Sequence, residues 1–215
     1  MQNSKQYLKV LKTWCETHKP EVKYSYPVPL LGEGGTCSLF GELSEHPFDL
    51  TTVLTSPQLS LVAQCQSIVD WVQQQSNVDW FGIYITLHNN QDAALTKLAY
   101  FGEPSRAQFP LSKEFAAISN NTAVGLTGEK RVINNVQEFV KQGGEYYTCD
   151  PKVKSELCYP IVSNKNNNSE QQDAKILGII DAESFSTDCF DQDQQALFSA
   201  VCEYLSERIN KSENI

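Results

Sequence analysis

Apolar residues recur at helical spacing in three stretches of the chain and alternate with polar ones in several others. Tyr7, Leu8, Leu11, Trp14 and Cys15 share one face of a helix predicted over residues 4–17, with Ser4 as its cap and Pro20 as its stop. Leu61, Cys65, Ile68, Val69 and Val72 make the buried stripe of a second helix over residues 56–75. The closing stretch DQDQQALFSAVCEYLSERI predicts a third, amphipathic and opened by acidic residues that suit the positive end of a helix dipole.

Strand signals lie between the second and third helices. In DWFGIYITL, Phe81, Ile83 and Ile85 alternate with Gly82, Tyr84 and Thr86, and ALTKLAYFG reads as the hairpin partner, with His88 near the tip. EFAAI predicts a short helix, NNTAVGLTG a turn, KRVINNV a short strand and VQEFVKQ a short helix. ELCYPIV and AKILGIIDAES predict two more strands, joined by the polar hairpin loop SNKNNNSEQQD. Between the first two helices, EVKYSYPVPLLGEGGTCSLFGELSEHPFD is rich in proline and glycine and predicts a long irregular flap or wrapping arm. Its GEGGTC lacks the Gly-Lys-Ser/Thr ending of a phosphate-cradling loop. The expected fold class is α+β: one antiparallel sheet, the first and last helices of the domain on one face, and a ligand pocket on the other. Residues 1–55 are expected to form an N-terminal helix and extended arm, and residues 56–210 the domain.

Composition narrows the partners. Of 215 residues, 40% are hydrophobic and 20% charged, ordinary for a globular chain. The formal charge is −9, from 26 acidic against 17 basic residues, with no Lys/Arg cluster, so nucleic acid and anionic membrane surfaces are poor partners. The longest apolar runs are too short to span a bilayer, and MQNSKQYLKV lacks the apolar core of a secretory signal. A cytoplasmic location is expected. The seven cysteines, odd in number and irregularly spaced, argue against a disulfide framework. No C-x-x-C pair occurs, so no metal site is expected.

Candidate chemistry gathers in EYYTCDPKVKSELCYP and GIIDAES. Period two puts Glu156, Cys158 and Pro160 on one face of their strand, and Leu177, Ile179, Asp181 and Glu183 on one face of theirs. If the two acidic strand ends are neighbours, three carboxylates converge and at least one is held protonated near neutral pH. That layout, with Asp79-Trp80 before GIYI, Cys149-Asp150, Ser155-Glu156 opening LCYP, and Asp181 and Glu183 in GIIDAES, resembles a GAF domain. More narrowly it is similar to the small stand-alone GAF enzymes that reduce free methionine-(R)-sulfoxide, over roughly residues 56–207.

The resemblance implies that Cys149 attacks the sulfoxide and that Trp80, Asp150, Glu156, Asp181 and Glu183 line the substrate site. It implies no bound cofactor but an external thiol reductant of thioredoxin or glutathione type. The family carries two further cysteines upstream of its Cys-Asp pair. Here no cysteine lies between Cys65 and Cys149, and the matching segments hold Gln108 and Asn121. Cys158, or Cys37 in the arm, is then the internal candidate to resolve a sulfenic acid on Cys149. The alternative is a catalytically degenerate GAF module that binds or senses a small molecule. A third expectation is a homodimeric scaffold that uses the N-terminal arm to swap or clasp, with an empty pocket.

Overall fold

Helix α1 (Ser4–Thr17) is capped by Asn3 rather than Ser4. The Asn3 side chain accepts from the Gln6 amide at 3.0 Å, and the Gln6 side chain accepts from the Asn3 amide at 3.0 Å. A cap at Asn3 places Gln6 three residues on, where it closes a capping box; a cap at Ser4 would place Tyr7 there. The computed structural model describes residues 3–31, 42–89, 92–146, 150–163 and 175–213.

The two flanks of the arm pair with each other, where an irregular connection was expected. Strand β1 (Ser25–Tyr26) runs antiparallel to β2 (Phe48–Asp49), and Pro29 bridges Leu43. Asp49 then caps a 3₁₀ turn, Leu50–Thr52, by accepting from the Thr51 amide at 2.8 Å. The Gly-rich centre of the arm, with Cys37, lies outside the described residues.

Helix α2 (Ser56–Gln75) follows, with Pro57 in its first turn, where the missing N–H costs nothing. Strands β3 (Trp80–Asn89), β4 (Asp92–Phe101), β5 (Gln108–Pro110), β6 (Arg131–Ile133), β7 (Ser155–Val162) and β8 (Ile176–Ser184) form one antiparallel sheet in the order β5-β4-β3-β8-β7-β6. The short helices α3 (Lys113–Ala116), α4 (Asn120–Thr127) and α5 (Val136–Lys141) lie between β5 and β7, and α6 (Gln192–Glu213) closes the described chain. The stretch expected to be a turn is thus α4: Ser119 caps it by accepting from the Thr122 amide, and Gly128 ends it at a φ of 71°. The expected hairpin loop between β7 and β8 falls outside the described residues.

The sheet has two unlike faces. Phe81, Ile83, Ile85, Leu157, Tyr159, Ile161, Ile180 and Ala182 pack with α2 and α6 into the main core, so the first and last helices of the domain share one face. Helix α1 lies over α2 and α6, with Tyr7 and Leu11 buried in the same core. The Tyr7 hydroxyl donates to Asp193 at 2.7 Å and the Trp14 indole to the Ser67 carbonyl at 2.9 Å. The opposite face carries a smaller cluster of Trp80, Tyr84, Leu95, Phe109, Val124, Cys158 and Ile179, with α4 packed over β7 and β8.

One residue departs from strict alternation. Ile161 stands opposite Gly178 and Val162 opposite Ile176, leaving Leu177 as the extra residue of a bulge. Leu177 therefore joins the helix-side core, not the face of Ile179 expected from period two.

Candidate functional site

Register across the sheet assembles a site from five strands. Directly opposed residues share a face, and one row reads Arg131, Cys158, Asp181, Gly82, Tyr100 from β6 to β4. The adjacent row reads Ile133, Glu156, Glu183, Trp80. Trp80, Glu156, Cys158, Asp181 and Glu183, each singled out in the sequence, thus stand side by side on the face opposite α2 and α6.

Glu156 and Asp181 are buried there. The first turn of α4 lies over them and supplies a donor to each. The Asn120 side-chain amide donates to Glu156 Oε2 at 3.2 Å, and that of Asn121 to Asp181 Oδ2 at 2.8 Å. The Tyr146 hydroxyl also donates to Glu156. Asp181 Oδ1 is buried with no hydrogen-bond partner among the described residues, as is Asn121 Oδ1. Buried polar atoms in native proteins are rarely left so.

The electrostatics follow from this crowding. Burial holds the Glu156 carboxyl above the ordinary range, against the pull of its Tyr146 and Asn120 donors and of Arg131. Burial, then the Glu156 charge, pushes Asp181 well up, against Asn121 and Lys97. Tyr146 is pushed far up by burial and by the charges of Glu156, Glu183 and Asp181, so it remains a phenol. Both acids therefore keep their protons to higher pH than an ordinary carboxyl does.

Trp80 forms a wall of the site. Its indole N–H donates to the Glu103 carbonyl at 2.9 Å and its ring stacks on Tyr100, centroids 6.2 Å apart. The ring lies across Gly82, where an added Cβ would come within 2.3 Å of it. Beneath, the fully buried Lys97 ammonium sits in an aromatic box, 5.1 Å from the Tyr26 centroid, 5.5 Å from Trp80 and 4.0 Å from Tyr100. It also donates to Ser105, to the carbonyl at 2.9 Å and the hydroxyl at 2.6 Å. Tyr26 comes from the arm and donates to the Lys97 carbonyl at 2.7 Å, so residues ahead of the domain help build its site wall.

The remaining candidates sit differently. Asp150 is buried, and its carboxylate accepts from the Lys152 amide at 2.8 Å and lies 3.9 Å from the Lys152 ammonium. It closes a turn. Cys149 lies outside the described residues. Cys158 is fully buried between the acids, and burial followed by the Asp181 and Glu156 charges pushes its thiol well up. Cys15, Cys65, Cys189 and Cys202 are likewise pushed up, by burial first. A raised thiol is a weak nucleophile at neutral pH.

Sequence reasoning missed Asn120, Arg131, Tyr146 and Lys97. The Ser119 cap before the Asn pair is the signal that would have placed both amides in a first helical turn. Nothing in the pattern marks Arg131 or Lys97, whose neighbours come from other strands. Among the described residues, no group of three or more His, Cys, Asp or Glu is placed to hold a metal ion, and no helix is long and apolar enough to cross a membrane. A shallow groove of about 580 Å³ along α1, beside Val10 and Trp14, is separated from the acids by the α2 and α6 layer.

The family model of the GAF domain matches residues 60–209, and the chain belongs to that family. Its fold is similar to that of a type II free methionine-R-sulfoxide reductase from Thermoplasma acidophilum, at TM-score 0.55 and 18% identity, over 71% of this chain and 94% of that one. It is similar to free methionine-R-sulfoxide reductase from Neisseria meningitidis in complex with its substrate, at 0.56 and 18%, over 76% and 85%. It is equally similar to a putative GAF sensor protein from Burkholderia vietnamiensis, at 0.54 and 19%, over 76% and 85%. No curated protein matches it in sequence. At these identities the likeness is one of fold.

Proposed function

We propose that this protein binds a small free amino acid against the Glu156–Asp181 pair and reduces free methionine-(R)-sulfoxide with Cys149 as nucleophile. The observation that carries the reading is Asp181: a buried carboxylate with one oxygen unpartnered among the described residues, beside a second buried acid and an indole wall. An α-ammonium meets one acid of the pair, and the other, left protonated, is the acid that a sulfoxide needs, since its sulfur is a poor electrophile until the oxygen is protonated.

In this reading the Cys149 sulfur attacks the sulfoxide sulfur. The sulfoxide oxygen, protonated by Glu156 or Asp181, passes to Cys149, which becomes a sulfenic acid while the substrate leaves as a thioether. One external thiol condenses with the sulfenic acid to a mixed disulfide, releasing water. A second thiol reduces that disulfide, restoring Cys149 and yielding the external disulfide. The net change is sulfoxide plus two thiols to thioether, disulfide and water. The reductant is of thioredoxin or glutathione type. Cys158 contributes as floor of the site more readily than as resolving thiol, because its surroundings favour the neutral form.

One observation favours a binding module instead. Burial raises all five described cysteines, so the redox chemistry in this reading rests on Cys149, with Cys37 the other thiol outside the described residues. Thiol-dependent reduction of free L-methionine-(R)-sulfoxide separates the two. Wild type is expected to turn over with dithiothreitol or a thioredoxin system, and Cys149→Ser to be inactive. Equal activity in the variant removes Cys149 from the mechanism. No activity with any thiol donor, together with saturable binding of the amino acid, makes the protein a binding module.

A further inference from the structure

We infer that Arg131 is the group that recognises the carboxylate of the ligand, so the site selects zwitterionic amino acids over simple amines. This rests on the amino-acid reading of the same site. Arg131 lies on the edge strand β6, directly opposite Cys158, and Cys158 is directly opposite Asp181. With neighbouring strands about 4.8 Å apart, the Arg131 backbone stands about 10 Å from that of Asp181, within the span of the two side chains and a small ligand.

The arrangement of its guanidinium is unusual. Arg131 Nη1 donates to Asn120 Oδ1 at 2.9 Å, and the same Asn120 amide donates through Nδ2 to Glu156 Oε2 at 3.2 Å. A cation and an anion on adjacent strands would ordinarily meet as a bidentate pair. Here one carboxamide stands between them, holding both in place and leaving them apart by its own width. Arg131 is exposed at the rim and Glu156 buried at the floor, so the polarity runs from positive outside to negative inside. An α-amino acid carries its ammonium and carboxylate on one carbon and matches that gap: ammonium inward to Glu156 and Asp181, carboxylate outward to Arg131.

The other nearby cations are committed elsewhere. Lys97 is fully buried, donating to Ser105 inside its aromatic box. Arg106 lies over Phe109 and Phe115 and donates to the Gln108 carbonyl. Lys152 faces Asp150 and the Phe185 ring.

The test compares L-methionine-(R)-sulfoxide with its decarboxylated counterpart, 3-(methylsulfinyl)propylamine, by calorimetric titration of Cys149→Ser protein with and without Arg131→Gln. A charge-assisted hydrogen bond at a half-open rim corresponds to about a tenfold preference for the amino acid. Arg131→Gln is expected to abolish it by weakening the amino acid about tenfold, leaving the amine's affinity unchanged, and Arg131→Lys to restore part of it. A preference kept in full by Arg131→Gln, or absent from the Cys149→Ser parent, overturns the assignment of Arg131 while leaving the amino-acid site standing. Binding of neither compound to the parent overturns both.

Discussion

Glu156 on β7 stands directly opposite Glu183 on β8, a like-charged pair in the register of neighbouring strands. Like charges so placed weaken a ladder, and burial adds to the cost for Glu156. The next pair on that face sets buried Cys158 against buried Asp181. A sheet that concentrates acid in this way gives up stability at these positions, as sites for cationic groups commonly do. In the proposed function a ligand ammonium supplies the counter-charge.

That cost should be visible in the pH dependence of folding. The folded protein holds the Glu156 and Asp181 carboxyls above their ordinary range, by burial first and, for Asp181, the Glu156 charge. It therefore retains protons that the unfolded chain, with carboxyl pKa near about 4, has released. Stability contributed by these groups is present below about pH 4 and is lost as pH rises through the raised folded values. Chemical denaturation at pH 5 and pH 8 checks this. Glu156→Gln and Asp181→Asn are each expected to shrink the loss between the two pH values by about 1 kcal/mol or more. Variants that keep the full wild-type loss would show the acids to be ordinary.

Gly82 is required by the indole above it. A Cβ there would sit 2.3 Å from the Trp80 ring, so Gly82→Ala must displace the wall of the site. Destabilisation of about 1–3 kcal/mol is expected, with a weakened affinity for the amino acid. Denaturation followed by tryptophan fluorescence, alongside a binding titration, measures both. An alanine variant with wild-type stability and affinity would mean that the indole is not confined there.

The sheet and the two long helices were legible because their apolar spacing is regular and local. What was not legible depends on partners distant in sequence. Leu177 changes faces because a bulge against Ile161 and Val162 interrupts the period, and no residue within the strand announces it. NNTAVGLTG looks like a turn from its asparagines, yet Ser119 makes it a helix and those amides turn to acids some 36 and 60 positions away. Glu156, Asp181 and Glu183 could be grouped because alternation alone puts each on a definite face. Asp150 joins the expected site only through its place beside Cys149, and its side chain accepts from the Lys152 amide.

The N-terminal helix belongs to the same core as the domain. Leu11 is fully buried and the Tyr7 hydroxyl reaches Asp193 on α6. Leu11→Ala is expected to cost about 2–4 kcal/mol, and Tyr7→Phe about 1 kcal/mol, both in a single cooperative transition. Two separate transitions, with only the first shifted, would show α1 to be a detachable appendage.

Thiol reactivity offers an independent check on the assignment of chemistry. Cys65 and Cys158 are 1% and 0% exposed and their thiols are raised by burial, so neither should be alkylated by iodoacetamide at pH 7 in the folded protein. Peptide mapping is expected to find Cys149 modified ahead of both. Prompt modification of Cys158 would instead make it a working thiol of the site.

The most direct measurement is a calorimetric titration of Cys149→Ser, which cannot turn over, with free L-methionine-(R)-sulfoxide, repeated on the Cys149→Ser/Asp181→Asn double variant. Saturable binding to the first and a loss of tenfold or more in the second, in a protein at least as stable at pH 8, is the predicted result. Equal affinity in the two would contradict it, since the buried acid pair would then hold nothing.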